Sequence, residues 1–139
     1  MASKVTADEV NKFYAAQFSG RGGHDQVVEV REDYARLRQD IGEAQLRPGN
    51  YISGPTQMAI ADSAAYVAIF TRTGILPMAV TSNLNINFLR PCIDTALVAE
   101  AHLIKMGKSL AVIHVDICAE GSEKMASHAV VTYALPRED

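Results

Sequence analysis

The sequence predicts an α+β fold in which an antiparallel sheet curls round one long helix. Three observations predict it. Pro55 to Arg72 is the most apolar helical stretch, with Ala at positions 59, 61, 64, 65 and 68 spread around most of its circumference. Small residues let other elements approach the helix axis closely. After Pro77 the apolar period changes to two, through the runs Met78 to Arg90, Thr95 to Met106, Ser109 to Glu120 and Met125 to Leu135. Turn signals at Pro91–Asp94, Gly107-Lys108 and Gly121–Lys124 separate these runs. Connections this short predict that consecutive strands are antiparallel neighbours.

The remaining elements follow in chain order. Thr6 to Phe18 is an amphipathic helix: Thr6 is its N-cap, Glu9 stands three residues on, and Val10, Phe13, Tyr14 and Phe18 mark one face. Ser19-Gly-Arg-Gly-Gly23 ends it. Gln26 to Arg31 and Tyr34 to Arg38 alternate as a hairpin around Glu32-Asp33, and Asp40 to Tyr51 is a loop punctuated by Pro48 and Gly49. Pro55 suits the first position of the central helix, which makes Gly54 its N-cap; Gly74 and Pro77 stop it. The length of 139 residues predicts one domain, with an N-terminal helix and loop over 1–25 and the core over 26–135.

Composition excludes several classes. A net charge of -3 gives no electrostatic footprint for nucleic acid or a membrane surface. No apolar run reaches the roughly 18 residues of a membrane span, because Asp62 and Ser63 interrupt the longest. The N-terminus lacks a signal-peptide core, and two cysteines, Cys92 and Cys118, read as free thiols of a cytoplasmic protein. Cys92 follows Arg90-Pro91, a position open to either burial or exposure, and has no second Cys or His at metal-ligand spacing.

Asp62 is the residue most in need of explanation. A carboxylate removed from water without a partner costs several kcal/mol or shifts its pKa, so an acid in an apolar helix has a chemical or structural reason to be there. Ser53-Gly54-Pro55 presents backbone N–H groups at the positive end of the same helix, a ready site for a carbonyl oxygen developing charge. Asp62 lies eight residues beyond Gly54, about 12 Å along the axis at roughly 1.5 Å per residue. One helix cannot bring both to one small group. An antiparallel second copy beside the first can, as in a two-fold dimer.

Val80-Thr-Ser-Asn-Leu-Asn-Ile-Asn-Phe88 is also unusual, because Asn is depleted in strands. Simple alternation puts Val80, Ser82, Leu84, Ile86 and Phe88 on one face and Thr81, Asn83, Asn85 and Asn87 on the other. The second face is either solvated or a polar wall against a ligand or subunit. His102, His114 and His128 lie in separate strands without metal spacing and read as structural. His114 and Asp116 share a strand face as a surface pair.

Ser53-Gly-Pro-Thr-Gln-Met-Ala-Ile-Ala-Asp62, Asn83-Leu-Asn-Ile-Asn-Phe-Leu-Arg-Pro91 and Lys105-Met-Gly-Lys-Ser109 resemble the PaaI-type acyl-CoA thioesterases of the hotdog fold. The resemblance runs over roughly residues 26 to 135. It implies a homodimer joined through the sheets, commonly paired again into a tetramer, that hydrolyses acyl- or aryl-CoA thioesters. It makes Asp62 the nucleophile or general base and Gly54 the donor that polarises the carbonyl. It makes Thr81 a hydroxyl supplied by the partner subunit, and Arg90 and Lys108 holders of the CoA phosphates. Ser53, Asn83 and Tyr66 would line the substrate pocket. No cofactor or metal is implied, since coenzyme A belongs to the substrate.

The family usually carries His-Gly-Gly where this chain has Ser53-Gly54-Pro55. An imidazole and one N–H are missing, which thins the oxyanion site. Asn50, Tyr66 and Asn83 are candidates to compensate. The alternative is a non-catalytic acyl-CoA-binding or structural hotdog protein. A hydratase of this fold would need a catalytic His in the helix region, which is absent.

Overall fold

A computed structural model describes residues 2–17 and 25–137. Phe18, Ser19–Gly23 and His24 lie outside the described residues. α1 spans Ala7–Gln17. Thr6 Oγ1 accepts the Glu9 N–H at 3.2 Å and Glu9 Oε1 accepts the Thr6 N–H at 3.3 Å, the reciprocal cap expected from the sequence. Val10 is buried, Phe13 meets Phe70 edge-on at 5.9 Å, and the Asn11 amide clips α1 to Val27.

β1 (Gln26–Arg31) and β2 (Tyr34–Asp40) form the expected hairpin. Asp33 turns it in the left-handed region at φ 64 and sends its N–H to Thr71 Oγ1 at 3.0 Å. The stretch expected to be loop contains a 3-10 turn at Glu43–Gln45 and a small ladder, β3 (Leu46–Arg47) against β4 (Tyr51–Ile52). Two-residue strands carry no periodicity, which is why alternation cannot find them.

α2 (Gly54–Thr73) is buried continuously from Ala64 to Thr71. Phe70, Ile69 and Ile60 are fully buried, and each such side chain stabilises the fold by about 1.5–3 kcal/mol. The N-cap is Ser53, not Gly54. Its Oγ accepts the Thr56 N–H, a bond that Gly has no side chain to make. Gly74 closes the other end at φ 79. No described helix is long and apolar enough to cross a membrane.

β5 (Val80–Phe88), β6 (Ala96–Met106), β7 (Leu110–Ala119) and β8 (Met125–Ala134) complete a six-stranded antiparallel sheet ordered β1-β2-β6-β7-β8-β5. β6, β7 and β8 are consecutive neighbours, as expected. β5 and β6 are not: β5 pairs with β8 at the far edge, while β6 pairs with β2. The 89–95 connection is therefore a crossing and not a hairpin turn. Three strand spacings of about 4.8 Å must be crossed, roughly 14 Å, and seven extended residues reach roughly 23 Å. Leu89 and Arg90 N–H both go to Ala126 O, Ile52 N–H goes to Cys92 O, and Asp94 accepts from Thr95 and Gly121, so the link is anchored along its length.

A β-bulge at Ser82 alters the face assignment of β5. The register runs Thr81↔Tyr133 and then Asn83↔Thr132, leaving Ser82 as the extra residue. One extra residue reverses the parity before it. Thr81 therefore joins Leu84 and Ile86 on the helix-facing side, opposite its expected face, while Val80 moves the other way, to the outer face with Asn83, Asn85 and Asn87.

Candidate active site

Asp62 is half-buried on α2 and is held by two hydroxyls of its own chain. Thr81 Oγ1 donates to Asp62 Oδ1 at 2.7 Å and Tyr133 OH donates to the same oxygen at 2.9 Å. Oδ2 has no partner among the described residues. Burial, and then the Asp62 charge, push the Tyr133 phenol far above its ordinary range, so it stays a proton donor. Two neutral donors fix the carboxylate's orientation and leave one oxygen for water or an acyl carbon. Around Asp62 is a cleft of about 270 Å³ lined by Tyr14, Ser63, Tyr66, Pro77, Thr81 and Tyr133, among others. Tyr66 donates to Pro77 O at 2.9 Å and stacks on Tyr133 at 5.8 Å, so its ring shapes the cleft while its hydroxyl is committed.

Gly54 opens onto a different cleft, of about 600 Å³, which it shares with Arg47, Tyr51, Gln57, Phe88, Arg90 and Cys92. The two clefts have no lining residue in common. The Gly54 N–H enters no cap, loop or side-chain hydrogen bond among the described residues. A Cβ on Gly54 would stand 3.2 Å from the Phe88 ring, so glycine keeps this approach open. Ser53, the other residue expected here, turns its hydroxyl to Thr56 at 2.8 Å as part of the cap. Gln57, only 4% exposed, gives Nε2 to Ile52 O and takes the Ser127 proton at 2.6 Å.

The structure disperses the other expected residues. Asn83 is exposed on the outer sheet face and lines neither cleft. Arg90 lines the Gly54 cleft, and its guanidinium donates to Met125 O. Lys108 sits in the β6–β7 turn at the Val80 end of the sheet, because Val80 and Leu110 both pair with Ala134. Arg90 follows the other end of β5, roughly 30 Å away at about 3.3 Å per residue, so one chain cannot place both on one phosphate group. Asn50 occupies the left-handed region at φ 63 in the β3–β4 turn. The partner of Asp116 is His128 across the strands, at 3.8 Å, in place of the expected His114; His114 instead meets the His128 ring edge-on at 5.3 Å. Cys92 is buried at 3% exposure, and burial pushes its thiol upward, away from the thiolate that nucleophilic chemistry needs.

The family model described as Thioesterase superfamily matches residues 49–126, over half of the chain and both ends of the site. The chain belongs to the thioesterase superfamily. A Saccharolobus solfataricus protein provisionally named an esterase is 31% identical over 110 residues, which is 78% of this chain and 71% of the relative. The structure of a provisionally named thioesterase from Silicibacter sp. TM1040 superposes with a TM-score of 0.87 at 27% identity, covering 96% of this chain and 94% of that one. The E. coli PaaI protein from the phenylacetic acid degradation operon superposes with a TM-score of 0.77 at 18% identity, covering 95% and 96%. The long helix in a curved antiparallel sheet is the hotdog fold of PaaI-type thioesterases, and thioester hydrolysis is the reaction class these matches support.

The chain holds its acid with Tyr133, which sequence reasoning missed. Tyr133 lies 71 residues from Asp62, and only strand register brings them together. Arg47 was missed for the opposite reason: it falls in a short ladder that has no sequence signature. Two glycyl-like turn positions, Gly49 at φ 95 and Asn50 beside it, were the available signal.

Proposed function

We propose that this thioesterase hydrolyses acyl- or aryl-CoA thioesters at a site completed by a second copy of the chain. The observation that carries the reading is the separation of the two halves. A carboxylate with one free oxygen and a free helix-start N–H lie on one helix but in different clefts. Antiparallel α2 helices in a two-fold dimer would set Asp62 of one copy against Gly54 of the other, twice. The free edge of β5, already paired with β8 on its other side, supplies a surface for such pairing. In such a dimer Thr81, which orients Asp62 of its own chain, would belong to the partner of the chain that supplies Gly54.

In the general-base form of the reaction, Asp62 Oδ2 takes a proton from water as the water oxygen bonds to the acyl carbon. The carbonyl π pair moves onto oxygen, where the Gly54 N–H meets it. Collapse breaks the C–S bond, and the thiolate of CoA leaves and takes up a proton. In the nucleophilic form Oδ2 itself attacks, and water then opens the mixed anhydride. Coenzyme A enters only as part of the substrate. A dimer of dimers would bring Lys108 and Arg90 from different chains towards one CoA tail.

One observation favours a non-catalytic CoA-ester binder: the Ser53 hydroxyl is spent on the cap and cannot replace an imidazole. A panel of acyl- and aryl-CoA esters with a thiol reporter separates the readings. Hydrolysis by wild type that disappears in Asp62→Asn supports the enzyme. Binding of CoA esters with no hydrolysis by wild type supports the binder.

A further inference from the structure

We propose that Arg47 is the missing half of the oxyanion site, a guanidinium that stabilises charge on the thioester carbonyl beside the Gly54 N–H. This rests on the thioesterase reading above. The donors at the start of α2 can be counted one by one. Gly54 offers its N–H, and Pro55 has none. The Thr56 N–H goes to Ser53 Oγ at 3.3 Å, and the Gln57 N–H goes to Ser53 O at 3.2 Å. Thr56 Oγ1 donates to Gln45 O at 3.4 Å, so the hydroxyl bond between Ser53 and Thr56 uses the Ser53 proton. One backbone donor therefore faces a charge that forms only in the transition state, where a single missing donor costs about 10²–10³ in kcat.

The cleft itself supplies the remedy. Its lining holds two cations, Arg47 and Arg90. Arg90 is tied to the sheet through Met125 O. Arg47 has no hydrogen bond from its guanidinium and no acidic partner among the described residues, and it lies 5.9 Å from the Tyr51 ring centroid. Its backbone is firmly mounted. Arg47 pairs with Tyr51 across β3–β4, Asn50 N–H returns to Arg47 O at 3.0 Å, Ile52 N–H goes to Cys92 O at 2.8 Å and Ser53 N–H goes to Gln45 O at 2.8 Å. The tight turn needs Gly49, where a Cβ would stand 2.9 Å from the Tyr51 ring. A fixed base and a charged head without an acidic partner in the lining of the Gly54 cleft suit a group that meets charge as it develops. Unlike an imidazole, a guanidinium stays charged at every working pH.

The experiment compares Arg47→Ala, Arg47→Gln and Arg47→Lys with wild type by steady-state kinetics on the best CoA ester of the panel, after circular dichroism confirms each fold. The kcat of Arg47→Ala and Arg47→Gln is expected to fall about 10²–10³-fold with far less change in KM. Arg47→Lys keeps part of the rate. Guanidinium ion added to the solution restores part of the rate to Arg47→Ala and none to Asp62→Ala. An Arg47→Ala variant with wild-type kcat, or a loss confined to KM, overturns the assignment while the active wild type leaves the thioesterase reading standing. A wild type inert on the whole panel overturns that reading, and this assignment with it.

Discussion

The two ends of the site on α2, Gly54 at the helix start and Asp62 near its middle, are built by different means. At Asp62 the site is made by tertiary structure: hydroxyls from β5 and β8 converge on one carboxylate oxygen. At Gly54 it is made locally, by a cap, a proline and a glycine within four residues of chain. The Asp62 end holds its reactive group in place. The Gly54 end spends most of its donors on holding the helix start together, and leaves one N–H and an open cleft. On the reading proposed above, a site divided this way is completed by a second copy, with positioning and polarisation held about 12 Å apart on one rigid element and joined by symmetry.

The largest expected effect breaks the Asp62 end. Asp62→Asn should lower kcat by about 10²–10⁴-fold while the sedimentation coefficient stays that of wild type. Mixing gives the sharpest form of the comparison. Gly54→Val should crowd the Phe88 ring and block the other half-site. Refolding Asp62→Asn together with Gly54→Val, each inactive alone, should recover roughly a quarter of wild-type activity, because half the dimers are mixed and each holds one sound site. No recovery would show that both ends act within one chain.

Smaller effects test how each end is held. Tyr133→Phe removes one of the two hydroxyls on Asp62 Oδ1. It should lower kcat by about tenfold and stability by about 0.5–1.5 kcal/mol, measured by denaturant unfolding. Asn83→Lys with Asn85→Lys puts like charges along the free edge of β5 and should shift sedimentation towards monomer, with activity falling in step. The smallest effect is expected from Ser53→Ala. Loss of the cap should cost about 1 kcal/mol of stability with kcat within a few-fold of wild type. A hundredfold loss of kcat there would mean that the Ser53 hydroxyl turns away from Thr56 and reaches the substrate.

Much of this was legible in the residues. The alanine-studded helix, the change of period after Pro77 and the hairpin signals at Gly107 and Gly121 led to the correct fold class, because core-facing periodicity and turn chemistry are local properties. The acid and the helix-start glycine were visible in the helix pattern, and their separation of about 12 Å, which motivates the proposal of a second copy, followed from helix geometry alone. Strand order did not follow. A seven-residue link is long enough either to turn or to cross, and Pro91 does not distinguish the two. Nor did the side of the sheet that Thr81 faces, since a single bulged residue at Ser82 reverses it.

The sequence by itself determined the two helices, the six longer strands and the acid in the apolar helix, since these depend on residues a few positions apart. Only the tertiary structure decided what surrounds that acid and what shares the cleft with Gly54. Tyr133 reaches Asp62 through the register of β8 on β5, and Arg47 reaches the Gly54 cleft on a two-residue ladder. Both placements depend on backbone hydrogen bonds between segments whose sequences carry no record of each other, so only the folded chain could reveal them.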